Sequence, residues 1–214
     1  MRRVPVYYNG YVALEFFRRT EGKPWKLGVI PAAFNPPTRA HLALACAALQ
    51  SVDEVLFVLP RVFPHKSYQD ARFEQRIEML TQACAQPQFS IAASQGGLFI
   101  DIAGECHEAY GDGVRLSFIC GCDAAERIIH WDYGEPGAFL RMLEQFEMLV
   151  AARGARFLPP PEMAHRIHLI EVADQITDVS ASEVRRRVRL GEPWQNLVPA
   201  EIVPLVAKIY AAKR

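Results

Sequence analysis

The chain has 214 residues, 50% of them hydrophobic, with 24 Lys+Arg against 24 Asp+Glu and a formal net charge of zero. That balance excludes a protein gripping nucleic-acid backbone through a basic excess, and the hydrophobic content excludes a disordered chain. The zero hides an asymmetry, because residues 1–150 carry 14 basic and 17 acidic side chains while residues 151–214 carry 10 and 7.

In chain order, strands and helices alternate. Residues 27–30 and the apolar run 55–59 read as buried strands of a parallel sheet covered on both faces. Between them, residues 40–49 carry Leu42, Ala45, Cys46 and Leu49 at helical spacing. The pattern continues with a helix over 70–83, a strand at 89–92, a helix over 101–109 and a strand at 116–120. A helix over 139–145, strands at 146–152 and 167–170, and helices over 182–189 and 202–212 complete it. Repeated strand–helix units with right-handed crossovers predict an α/β, doubly wound parallel sheet forming one domain over residues 26–214. Residues 1–25 fit the alternation poorly. Their aromatic Tyr7, Tyr8, Tyr11, Phe16 and Phe17 are expected to pack on the domain or on another copy of the chain, so a homo-oligomer stays open and the role of this extension is unassigned.

The five cysteines, Cys46, Cys84, Cys106, Cys120 and Cys122, are odd in number and scattered, unlike a disulfide framework, and Cys120-Gly-Cys122 lacks zinc spacing. No apolar run reaches the ~20 residues of a membrane span, and Asn9, Gly10 and Glu15 interrupt any signal-like core. A reduced, cytoplasmic location without nucleic-acid or membrane partners is the expectation.

Two segments carry chemistry. From Gly28 to Leu42, a buried strand passes through the turn Pro31-Ala32-Ala33-Phe34-Asn35-Pro36-Pro37 into a helix. Thr38 is placed to cap it and His41 falls in its first turn. Helix N-termini attract phosphate, and in a doubly wound sheet this spot lies in the ligand crevice. A histidine there can donate to oxygens whose charge grows during phosphoryl transfer; the plain alternative is a capping threonine and a surface histidine. From Asp178 to Arg189, Ser180 and Glu183 fit a capping box, and Ser182, Arg185, Arg186 and Arg189 share a face. Hydroxyls and guanidiniums so placed can clamp a polyphosphate, or can simply decorate a solvated helix. Smaller signals are Pro64-His65-Lys66 after the second strand, Gly121-Cys122-Asp123 after the fourth, Asp101 at a helix start, and Trp131. Lys66 offers a point charge, Asp123 a ribose or hydrated-metal contact, and Trp131 a stacking surface. Asp101 and Asp123 can equally be helix caps.

Taken together, these motifs resemble the nicotinate/nicotinamide mononucleotide adenylyltransferase family, over roughly residues 26–212. The first signature reads Phe34-Asn35-Pro36-Pro37-Thr38-Arg39-Ala40-His41, and the second Val179-Ser180-Ala181-Ser182-Glu183-Val184-Arg185. Pro64-His65-Lys66, Gly121-x-Asp123 with Trp131, and Leu190-Gly191 to Leu197-Val198-Pro199 follow the family's order and spacing. The resemblance implies joining of ATP and a pyridine mononucleotide to give the dinucleotide and pyrophosphate, with Mg²⁺. It implies His41, Thr38, Arg185 and Lys66 as the catalytic set. ATP phosphates would be met at Ala33, Phe34, Ser180, Ser182 and Arg185. Gly121, Asp123, Trp131 and Asp101 would serve ribose or the mononucleotide, with Asp123 also the candidate metal contact, through water. Pro31, Ala32, Ala33, Ala40 and Ala181 depart from the family's small or hydroxylated residues, and Pro31 removes an N–H. A nucleotidyltransferase with another acceptor, such as a pantetheine phosphate, or a weak nucleotide-binding regulator, is the alternative those departures favour.

Overall fold

A computed structural model describes residues 14–62, 70–151, 157–172 and 179–211. In chain order the elements are β1 (Glu15–Arg18), β2 (Lys26–Pro31), α1 (Arg39–Ala48), β3 (Glu54–Pro60), α2 (Phe73–Ala83), β4 (Phe89–Ser94) and α3 (Phe99–Tyr110). There follow β5 (Arg115–Gly121), α4 (Cys122–Ile129), α5 (Ala138–Met142), β6 (Glu147–Ala151), β7 (Ile167–Ile170), α6 (Ala181–Leu190) and α7 (Val203–Ala211). The seven strands form one sheet in the order β1-β4-β3-β2-β5-β6-β7. All neighbours are parallel except β1, which runs antiparallel to β4. The doubly wound expectation is therefore met, with an added antiparallel edge.

Alternation along the strands divides the interior into two cores. Ile30, Phe57, Ile91, Ile119 and Leu149 face α1, α2, α6 and α7. Val29, Leu56, Val58, Phe118 and Met148 face α3 and α5 on the other side. β3 and β4 are buried at every residue, which is why their sequences read as continuous apolar runs. Gly28 is required by packing: a Cβ there would stand 2.7 Å from Ile119 Cδ1.

The chain winds outward from β2 through β3 to β4, then returns to β5 beside β2 and winds the other way. The strand order thus reverses between β2 and β5, and the crevice beyond their carboxyl ends is the place such a sheet offers a ligand.

Within the segment before residue 26, Glu15–Arg18 packs on the domain, one of the two placements expected for its aromatic residues, and completes the sheet. Its Phe16 packs edge-on to Tyr110 at 5.9 Å and Phe17 lies 6.2 Å from Phe73; Tyr7, Tyr8 and Tyr11 lie outside the described residues. Arg18 anchors this edge by donating to the carbonyls of Cys84, Ala85 and Gln86 after α2. Cys46, grouped by spacing with the apolar residues of α1, is exposed, whereas Cys84, Cys106 and Cys120 are buried, and all five thiols are free. The helix expected over 139–145 is a short one, Ala138–Met142. Among the described residues, no helix is long and apolar enough to cross a membrane.

Candidate active site

The turn from β2 to α1 begins the site. Ala32 N–H donates to the Val58 carbonyl, and the Ala33 carbonyl accepts from Arg76 Nη1 at 3.2 Å. Phe34 has φ +45°, a left-handed conformation that a bulky residue rarely adopts and that costs about 1–3 kcal/mol where it persists. Burial compensates: Phe34 is 1% exposed and packs against Phe57 and His41, with ring centroids 5.8 and 5.2 Å away. Asn35 is equally buried, with Oδ1 accepting from the Tyr210 hydroxyl of α7. Strain at Phe34 is therefore held on both sides by packed aromatic rings.

Thr38 has the extended backbone of an N-cap (φ −122°, ψ 164°) and is fully buried. Thr38 and His41 contact each other directly. His41 Nδ1 accepts from the Thr38 backbone N–H at 3.0 Å and lies 2.8 Å from Thr38 Oγ1. A ring nitrogen that accepts an amide proton carries none itself, so neutral His41 holds its proton on Nε2. Protein packs around the ring, though part of its surface still reaches solvent, and burial lowers its pKa to about 4. His41 is thus a neutral, pre-aimed N–H donor at a helix start whose first turn carries no acidic residue.

The start of α6 supplies the charge. Ser180 Oγ accepts from the Glu183 N–H at 3.1 Å, so half of the expected capping box forms. The other half does not: the Glu183 carboxylate accepts from Arg186 and Arg187 instead, which pull its pKa down to about 2. Arg186 also pairs with Glu192 at 2.7 Å. The shared basic face is therefore narrower than the spacing predicted, since Arg186 turns away with Glu183 and Glu192. Arg185 and Arg189 remain together, both on Asp70. Gly191 closes the helix at φ +70°, a conformation suited to glycine.

Arg185 joins the two helix starts. Its Nη1 donates to the Asn35 carbonyl at 2.6 Å, its Nη2 to Ser182 Oγ at 3.2 Å and its Nε to Asp70 at 3.0 Å. The structure thus brings Thr38, His41, Phe34, Arg185 and Ser182 around one turn, across 150 residues of sequence. Gly121 is the N-cap of α4 at the carboxyl end of β5, the strand next to β2, and Asp123 lies in the first turn of α4. Asp101 Oδ2 accepts from the Gly97 and Leu98 amides at 3.4 and 3.1 Å, the capping use named beside its binding role. Trp131, two residues beyond α4, is 44% exposed. Lys66 lies outside the described residues. The sequence reading passed over Asp70, Arg76, Asn35 as a side chain, and Tyr210.

The cytidylyltransferase-like family profile matches residues 29–187, a span that holds both helix starts. The chain belongs to the cytidylyltransferase-like family. It is 29% identical over 203 residues to the probable nicotinate-nucleotide adenylyltransferase of Moorella thermoacetica, covering 84% of this chain and 88% of that protein. It is 26% identical over 192 residues to the protein of the same name from Carboxydothermus hydrogenoformans, covering 83% and 92%. Among solved structures, it resembles the Plasmodium falciparum nicotinic acid mononucleotide adenylyltransferase complexed with NaAD, with a TM-score of 0.66, 18% identity, and 86% and 93% of the two chains covered. The same enzyme complexed with APC gives 0.65 at 17% identity, over 88% and 94%. Family, fold and enzyme class, a nucleotidyltransferase, agree with the resemblance drawn from the motifs.

Proposed function

We propose that the protein transfers the adenylyl group of ATP to nicotinate mononucleotide, forming the dinucleotide and pyrophosphate. The observation that carries this reading is Arg185 held against the Asn35 carbonyl, which sets a guanidinium beside the turn that presents His41. The names of the curated relatives support nicotinate over nicotinamide as the pyridine of the acceptor.

In this reaction a phosphate oxygen of the mononucleotide attacks the α-phosphorus in line. The new P–O bond forms as the bond to the bridging oxygen breaks, and pyrophosphate leaves with the electron pair. No side chain becomes covalently attached, so positioning and charge neutralisation supply the catalysis. The His41 Nε2–H and the free N–H groups of the α1 start would meet phosphate oxygens from one side. Arg185 and Ser182 would meet the leaving pyrophosphate from the other. Asp123, just past the end of β5, and Trp131, beyond α4, would serve the mononucleotide.

Mg²⁺ would enter on the nucleotide. No group of three or more His, Cys, Asp and Glu side chains is placed to hold a metal among the described residues, which suits an ion bound mainly by phosphates and water. Asp123 is the carboxylate that would contact it through water, and the ion would neutralise phosphate charge.

The test supplies Mg-ATP with nicotinate mononucleotide, nicotinamide mononucleotide or phosphopantetheine, and follows pyrophosphate and the joined product. Turnover with nicotinate mononucleotide is expected, at a kcat/KM about tenfold or more above that with the amide. Turnover with phosphopantetheine alone, or with no acceptor, would overturn the proposal.

A further inference from the structure

Asp70 stands between β3 and α2, three residues before the helix begins, and its side chain is 24% exposed. Its two oxygens serve two arginines one helical turn apart: Oδ2 accepts from Arg185 Nε at 3.0 Å, and Oδ1 from Arg189 Nη2 at 2.6 Å. Arg185 has five N–H donors in a rigid fork. One on Nε is taken by Asp70, one on Nη1 by the Asn35 carbonyl and one on Nη2 by Ser182. Among the described residues two donors are left, one on each terminal nitrogen, on a guanidinium whose orientation is fixed at three points. In charge, two guanidiniums and one carboxylate leave the pair at +1.

A clamp of excess charge would hold ATP, transition state and pyrophosphate alike, which slows release and adds nothing to the chemical step. A clamp that is aimed and only partly charged favours the state in which charge develops on the leaving oxygens. We propose that Asp70 is a positioning residue for the adenylyl-transfer site, orienting Arg185 and tempering the charge of the Arg185–Arg189 pair so that pyrophosphate is stabilised as it leaves yet released. This rests on the functional reading above, and it concerns a residue that none of the sequence motifs contains.

The experiment compares Asp70→Asn, which keeps shape and removes charge, with Asp70→Glu, which restores charge at a longer reach. Steady-state kinetics are measured with Mg-ATP and nicotinate mononucleotide, and pyrophosphate binding by calorimetry. For Asp70→Asn, kcat is expected to fall about ten- to a hundredfold, as misaimed groups do, while the KM for ATP stays level or falls. Pyrophosphate is expected to bind about fivefold more tightly, from one unit of unscreened positive charge. Asp70→Glu is expected to recover part of kcat and the wild-type pyrophosphate affinity. A raised KM for ATP at unchanged kcat, or pyrophosphate bound no more tightly, would overturn the proposal. Should Asp70→Asn not fold, Arg189→Gln tests the same pair from its exposed side: pyrophosphate is expected to bind about fivefold more weakly, and unaltered affinity counts against the proposal. If wild-type protein transfers to no pyridine mononucleotide, the functional reading fails, while the pyrophosphate measurements still decide whether Asp70 tempers the charge of the Arg185–Arg189 pair.

Discussion

The starts of α1 and α6 share a local plan and differ in chemistry. Each follows an extended hydroxyl residue, Thr38 or Ser180, and each carries a polar side chain three residues on. At α1 that side chain, His41, reaches back to the cap, is packed in protein and is neutral. At α6 it is Glu183, which turns to Arg186 and Arg187 and stays half-exposed. Burial thus converts one helix start into a fixed, uncharged donor. At the other, solvent and competing partners leave charge, and Asp70 and Asn35 gather part of that charge toward the turn. A phosphate-transfer site needs both, because a neutral donor gives direction and a cation gives strength.

The sharpest way to break this comparison is to remove the fixed donor. His41→Ala is expected to lower kcat by about 10²–10³ with a smaller change in the KM for ATP; an unchanged kcat would leave His41 as a helix-start residue only. Arg185→Lys keeps the charge but loses the fork that spans Asp70, Asn35 and Ser182. A fall in kcat/KM for ATP of about ten- to a hundredfold is expected, and equal activity would mean that charge alone suffices at α6.

The neutrality of His41 also has a pH signature. The ring binds its proton at about 4 in the folded chain against about 6.5 in the unfolded one, so the unfolded state takes up protons first as pH falls. Stability is therefore fully present above pH 6.5 and declines as pH drops toward 4, by up to about 3 kcal/mol. Chemical denaturation of wild type and His41→Gln over pH 4–7 measures it, and parallel curves would show that the ring is not buried neutral. Tyr210→Phe strips the donor from the buried Asn35 oxygen. A loss of about 1–2 kcal/mol is expected from such a change, with kcat down a few-fold as the turn loosens. The smallest effect belongs to Arg186→Ala: its partners Glu183 and Glu192 lie on the exposed side of α6, and kcat should match wild type, because exposed ion pairs carry little.

Much of this arrangement could be read in the sequence because it is local. The buried strands announced themselves as apolar runs, and Thr38-x-x-His41 and Ser180-x-x-Glu183 marked two helix starts within a few residues of their observed positions. What escaped is what distance or competition decides. β1 is four residues, Glu-Phe-Phe-Arg, with no periodic run, and only its pairing with β4 makes it a strand. Asp70 meets Arg189 across 119 positions and Tyr210 meets Asn35 across 175, separations that no helical or strand spacing encodes. Glu183 looked like half of a capping box until Arg186 and Arg187, three and four residues away on the same helix, took its carboxylate. Asp101 and Asp123 illustrate the reverse case, in which the sequence placed each correctly at a helix start while leaving cap and ligand contact equally open.

The central claim is that this site moves an adenylyl group, and isotope placement tests it most directly. Wild-type protein is incubated with nicotinate mononucleotide and Mg-ATP carrying phosphorus label at either the α or the γ position, and the products are separated. Attack at the α-phosphorus predicts α label in the dinucleotide and γ label in pyrophosphate. Label from the γ position in the acceptor or in free orthophosphate would contradict it, since that pattern belongs to transfer or hydrolysis at the terminal phosphate.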